Sequence, residues 1–152
     1  MPSIHSGRID DTAVMYFDNT PFELEGRQLH SVWKPKYEDL NGDALPEFFF
    51  RYITVGPDGF QQELAIYKFE NYRPVLMKKF VGRNGGIARK IDGKKIQVAE
   101  GNPNVQTMQL ETWEYQGNDF GLINTEIIPN MFLSEEWKNY FFQDEAPFDP
   151  QQ

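Results

Sequence analysis

The sequence has no cysteine, which excludes disulfide bridges and thiolate zinc sites but says nothing decisive about compartment. Histidine is almost as scarce. His5 and His30 stand in unrelated contexts, so neither a Ser-His-Asp arrangement nor a histidine-rich metal site is expected. No apolar run approaches the roughly 18–20 residues that a membrane-spanning helix requires. Asn84-Gly85-Gly86, between Arg83 and Arg89, lacks the Lys-Ser/Thr ending of a phosphate cradle and reads as a hairpin turn. What is present is hydrophobic enough to fold. With 152 residues, 39% hydrophobic and 15% aromatic, the chain fits one domain with an ordinary core.

Charge is distributed unevenly around the formal net of −8. Residues 1–72 carry 12 acids and 6 bases, and residues 96–152 carry 10 acids and one base, Lys138. Between them, residues 73–95 carry 8 bases (Arg73, Lys78, Lys79, Arg83, Arg89, Lys90, Lys94, Lys95) against the single acid Asp92. Such an insert can bind an anionic partner, or it can be a set of solvated strand edges and turns that discourage edge pairing. The second reading is the expectation. Acidic flanks oppose nucleic acid, whose binding rests largely on phosphate neutralisation, so no nucleic-acid partner is expected.

Alternation and turn chemistry predict strands. Residues 13–17 form the first candidate and 28–33 the next, followed by strands over 48–55, 62–70 and 75–81. Gly56-Pro57-Asp58-Gly59 and Asn71-Tyr72-Arg73-Pro74 supply the turns between them, which makes an antiparallel meander. The segment Glu63–Glu70 lies over Gln109–Gln116 at an offset of 46, pairing Leu64 with Leu110, Tyr67 with Trp113 and Phe69 with Tyr115. A period near 46 suits a four-stranded, blade-like unit. Two such units cannot close a propeller, so they must bury against each other or assemble with further copies. The expected fold is mainly β, with two antiparallel blade-like meander repeats packed as a sandwich or twisted sheet. The repeats cover about 29–81 and 82–128 of a single domain, 1–152. A short C-terminal helix is expected over 134–143, with Ser134 as N-cap and Trp137, Tyr140 and Phe141 at helical spacing.

The stretch Asp39-Leu40-Asn41-Gly42-Asp43-Ala44-Leu45-Pro46-Glu47 places oxygen-bearing side chains at its first, third, fifth and ninth positions. A hard cation such as Ca²⁺ takes six to eight oxygens, and alternate residues of a curled loop can supply them. Asp39, Asn41, Asp43 and Glu47, with the Leu45 carbonyl, are the candidate ligands. The alternative is an Asx-rich turn whose carboxylates cap their own backbone. The motif resembles the cation loop of FG-GAP/VCBS-type repeats, the blade-like units of integrin α-subunit propellers and of many bacterial secreted proteins. About 15 residues match strictly. One departs: Ala44 occupies the sixth position, where those loops usually carry Gly because φ is positive there.

The resemblance implies a non-catalytic, Ca²⁺-stabilised β-rich binding or interaction domain of bacterial exported type, with a protein or glycan partner. The first seven residues have no apolar h-region. The expectation is therefore a periplasmic or extracellular protein without its export signal, the alternative being a cytoplasmic one. Two other functions are carried. One is an acidic inhibitor or immunity-type protein that blocks a basic enzyme by surface complementarity. The other is a glycan-acting enzyme, since Glu111 and Glu114 flank Trp113. Alternate carboxylates on a strand are more often a solvated face, and the balance leans away from catalysis.

Overall fold

The computed structural model describes residues 4–5, 16–17, 20–21, 27–57, 59–71, 73–101 and 107–129. Among these residues there are twelve strands and no helix. Strands β1 (Ile4–His5), β2 (Tyr16–Phe17) and β3 (Thr20–Pro21) form a small antiparallel sheet. The helix expected over 134–143 lies outside the described residues.

A five-stranded sheet comes next. It contains β4 (Gln28–Val32), β5 (Lys36–Glu38), β6 (Glu47–Gly56), β7 (Gly59–Glu70) and β8 (Arg73–Gly82). The order is β4-β6-β7-β8, and β5 shares with β4 the same edge of β6. The break between β4 and β5 falls at Trp33-Lys34-Pro35, where proline has no N–H to give to a ladder. The Trp33 N–H still reaches the Arg51 carbonyl at 3.0 Å. Tight connections hold the long hairpins, with Gly59 at φ 102 and Asn71 at φ 52.

Strand β6 is buried on both faces, which is why it reads as an unbroken aromatic run rather than an alternation. Phe48, Phe50 and Tyr52 point to one face, clustered with Val32 and Ala65. Phe49 points to the other. The Phe48 ring meets Tyr37 and Phe69 edge-on at 4.7 and 4.6 Å, an orientation that aromatic quadrupoles favour.

The last sheet is a four-stranded antiparallel meander of β9 (Ile87–Lys90), β10 (Lys95–Glu100), β11 (Thr107–Tyr115) and β12 (Phe120–Pro129). The two large sheets share one core. Leu40, Phe49, Leu64, Ile66 and Phe80 from the five-stranded side meet Ala88, Ile96, Val98, Tyr115 and Phe120 from the other. Each large apolar side chain buried there contributes about 1.5–3 kcal/mol. Ile87, Ala99, Met108 and Leu110 form a separate cluster on the opposite face of the second sheet.

Strands expected over 48–55, 62–70 and 75–81 are present with slightly longer bounds. Four short strands, β1, β3, β5 and β9, were not expected, because two to four residues give no measurable alternation. Asn84-Gly85-Gly86 is not a hairpin turn. It is the crossover between the two large sheets, with Asn84 and Gly85 at φ 56 and 77. The basic segment is only partly the solvated surface expected. Lys94 is exposed, but Arg89 is buried and the Lys79 side chain is 20% exposed, because each meets an acceptor inside.

Candidate functional site

The loop 39–47 connects β5 to β6, two neighbouring antiparallel strands whose last pair is Glu38 with Glu47. Closing that short gap forces positive φ at Gly42 (78) and Ala44 (68). Those reversals turn backbone N–H groups inward. Asp39 accepts from the Gly42 N–H through Oδ1 and from the Ala44 N–H through Oδ2, both at 2.9 Å. Asn41 Oδ1 accepts from the Asp43 N–H at 3.2 Å, and Asp43 Oδ1 from the Leu45 N–H at 2.9 Å. Residues Asn41 to Leu45 are exposed.

Glu47 is different. It is buried beneath the loop and accepts the Leu40 N–H at 2.7 Å through Oε1. Burial raises its pKa, the Leu40 bond opposes this, and the charges of Asp43 and Asp39 raise it further. The loop therefore brings Asp39, Asn41 and Asp43 together around its own backbone, with Glu47 as a floor rather than an equal member. Lys94 Nζ donates to the Leu40 carbonyl at 2.9 Å, tying this floor to the β9–β10 turn.

The donor set is all oxygen, as a hard cation requires, and each accepting oxygen keeps a second lone pair. Among the described residues, no group of three or more His, Cys, Asp and Glu side chains stands in a metal-holding arrangement. A cation here would lean on Asn41 and on backbone carbonyls as well as on Asp39 and Asp43.

A second polar cluster was not anticipated. Glu63, on β7, is 1% exposed yet ionisable. Its Oε1 accepts from Tyr52 Oη at 2.9 Å and lies 2.8 Å from Lys79 Nζ. Its Oε2 accepts from Thr54 Oγ1 and from Gln61 Nε2, both at 2.9 Å. Arg27 Nε donates in turn to Thr54 Oγ1 at 2.7 Å. Burial pushes the Glu63 pKa up, but the bonds from Lys79, Gln61 and Thr54 outweigh it, and the net shift is downward. The register explains the convergence. Tyr52 pairs with Glu63, Thr54 with Gln61, and Glu63 with Val81 beside Lys79, which places all of these side chains on one face. The sequence signal was faint: Gln61 and Glu63 share their strand face with Ala65 and Tyr67.

Between β8 and the β10–β11 pair lies an open cleft of about 680 Å³. Lys78, Lys79 and Arg83 line one side, and Glu100, Gln109, Glu111 and Trp113 the other. Glu111 accepts from Trp113 Nε1 at 3.2 Å and from Gln109 Nε2 at 3.3 Å. Glu114 stands three residues on and points to the other face of β11, so the two acids flanking Trp113 do not converge.

No helix among the described residues is long and apolar enough to cross a membrane. Compared with known proteins, the chain matches no family model, no curated protein and no solved structure.

Proposed function

We propose that the chain is a non-catalytic β-rich binding domain of the FG-GAP/VCBS-like kind, made of two blade-like meander units and stabilised by Ca²⁺ at the loop 39–47. The loop carries this reading. Asp39, Asn41 and Asp43 gather in one tight turn, and Ala44 holds the left-handed conformation that the resembling loops give to glycine. The ligands would be Asp39, Asn41, Asp43 and the Leu45 carbonyl, with Glu47 supporting from below. Bound Ca²⁺ would offset the repulsion between the neighbouring Asp39 and Asp43 carboxylates.

The packing supports the repeat. Leu64 lies on the face of the first large sheet that meets the second, and Leu110 lies on the corresponding outward face of the second. Tyr67 and Phe69 pack on the face turned away from the second sheet. Their 46-residue counterparts, Trp113 and Tyr115, face back to the first. This arrangement of faces is what a head-to-tail step from one blade-like unit to the next would produce. A binding role in an exported bacterial setting follows from the resemblance, with the partner a protein or a glycan.

Calcium should raise the melting temperature. At ten times Kd the added stability is about 1.4 kcal/mol, with Kd in the range of about 10⁻⁴–10⁻³ M seen for extracellular modules. Asp43→Ala should abolish the increment. Ala44→Gly should tighten binding by relieving a left-handed alanine, a strain of about 1–2 kcal/mol. Identical wild-type melting curves in millimolar Ca²⁺ and in chelator would make the loop a self-capped turn and overturn the metal reading.

A further inference from the structure

We infer that the cleft between β8 and the β10–β11 pair is a binding site for an acidic oligosaccharide, one whose sugar rings carry carboxylates. It rests on the reading of the chain as a binding domain but not on the cation loop. Its volume of about 680 Å³ lies within the range of ligand pockets, roughly 300–1,000 Å³.

The chemistry of the walls narrows the occupant. Lys78 is half-buried, and its Nζ lies 5.7 Å from the Phe80 ring and 5.8 Å from the Trp113 ring. Among the described residues no carboxylate stands within ion-pair distance of it. A cation held against two rings without an acid partner is a ready receptor for an anion. Neighbouring Lys79 is already committed to Glu63, and Arg83 lies 3.7 Å from Glu100.

The opposite wall asks for something else. Glu111 is held in place by Trp113 Nε1 and Gln109 Nε2, and its remaining lone pairs are acceptors that need O–H or N–H donors. Trp113 is half-buried and lines the same space, offering an apolar surface beside those acceptors. A pyranose with hydroxyls and one carboxylate answers all three features: hydroxyls to Glu111, C–H surface to Trp113, carboxylate to Lys78. An acidic peptide satisfies Lys78 but brings neither hydroxyls to Glu111 nor a C–H ring face to Trp113.

Titration calorimetry of the full chain, in chelator, with an oligogalacturonate tests this against a neutral oligosaccharide of equal length and an oligoglutamate. The oligogalacturonate should bind and quench tryptophan fluorescence, and the other two should bind at least about tenfold more weakly. Lys78→Gln and Glu111→Gln should each weaken binding about tenfold or more without lowering the melting temperature. No binding of the oligogalacturonate, equal binding of the neutral sugar, or tighter binding of the oligoglutamate would each overturn the assignment. Because chelator is present, binding here with no calcium-dependent melting shift would sink the loop reading alone.

Discussion

Replacing Glu63 with alanine is expected to destabilise the protein by about 3–5 kcal/mol, the cost of removing one partner of a buried ion pair. The reason is the company it keeps. Lys79 Nζ, Tyr52 Oη, Thr54 Oγ1 and Gln61 Nε2 all donate to this one carboxylate on a face where neighbouring side chains are closed to water. Without it, the buried donors lose their common acceptor, and a buried polar group left unsatisfied costs about 1–3 kcal/mol. Glu63→Gln keeps one acceptor oxygen and should cost less than alanine. Urea denaturation of the three proteins at neutral pH measures the difference. A loss under about 1 kcal/mol for Glu63→Ala would mean that water or rearrangement replaces the carboxylate.

The same residue sets an acid dependence. Because the folded-state pKa of Glu63 is lowered from 4.5, its contribution is present above 4.5 and is lost as pH falls through the folded value. Glu47 has the opposite sign. Its folded pKa is raised by burial above 4.5, so its contribution is present below 4.5 and is lost as pH rises through the raised value. Glu63→Gln should therefore flatten the acid-side loss of stability, and Glu47→Gln should steepen it.

The second large effect is expected at the crossover between the large sheets. A Cβ on Gly86 would sit 1.9 Å from the Ala99 carbonyl oxygen and 3.0 Å from that of Arg83. Both obstacles are backbone, in strands or turns already hydrogen-bonded: Gly86 N–H to Arg83 O at 3.0 Å, and Gly101 N–H to Arg83 O at 2.9 Å. Gly86→Ala must therefore push the start of β9 away from β10 within the second large sheet. The expected loss is about 3 kcal/mol or more, at or beyond the upper end of ordinary overpacking. Gly93→Ala is the control. Its Cβ would meet nothing within 4 Å, and its cost should be only the left-handed strain at φ +66, about 1–2 kcal/mol. Equal losses for the two variants, measured by chemical denaturation, would show that the crossover has room to yield.

The aromatic run 48–50, the alternations over 62–70 and 109–116, and the Gly- and Asn-bearing turns were enough to determine strands and antiparallel order. These are local properties: side-chain shape and backbone preference act within a few residues. The turn over 39–47 was also legible, because its oxygen-bearing side chains and the backbone N–H groups they cap lie in one continuous stretch. The positive φ at Ala44 is the one that the resemblance to glycine-bearing loops implied.

The tertiary structure alone decided what lies across strands. Glu63 became the centre of a buried network only because the register set Tyr52 and Thr54 beside it on one strand and Lys79 on another. Lys78 meets Trp113 only because the two sheets pack face to face, 35 residues of sequence notwithstanding. Asn84-Gly85-Gly86 carries the residues of a hairpin, and nothing local distinguishes a turn that returns to its own sheet from one that crosses to the next. That choice belongs to the burial of Leu64, Phe80, Ile96 and Phe120 in one core. Burial is a sum over the whole chain, so no single window of the sequence contains it.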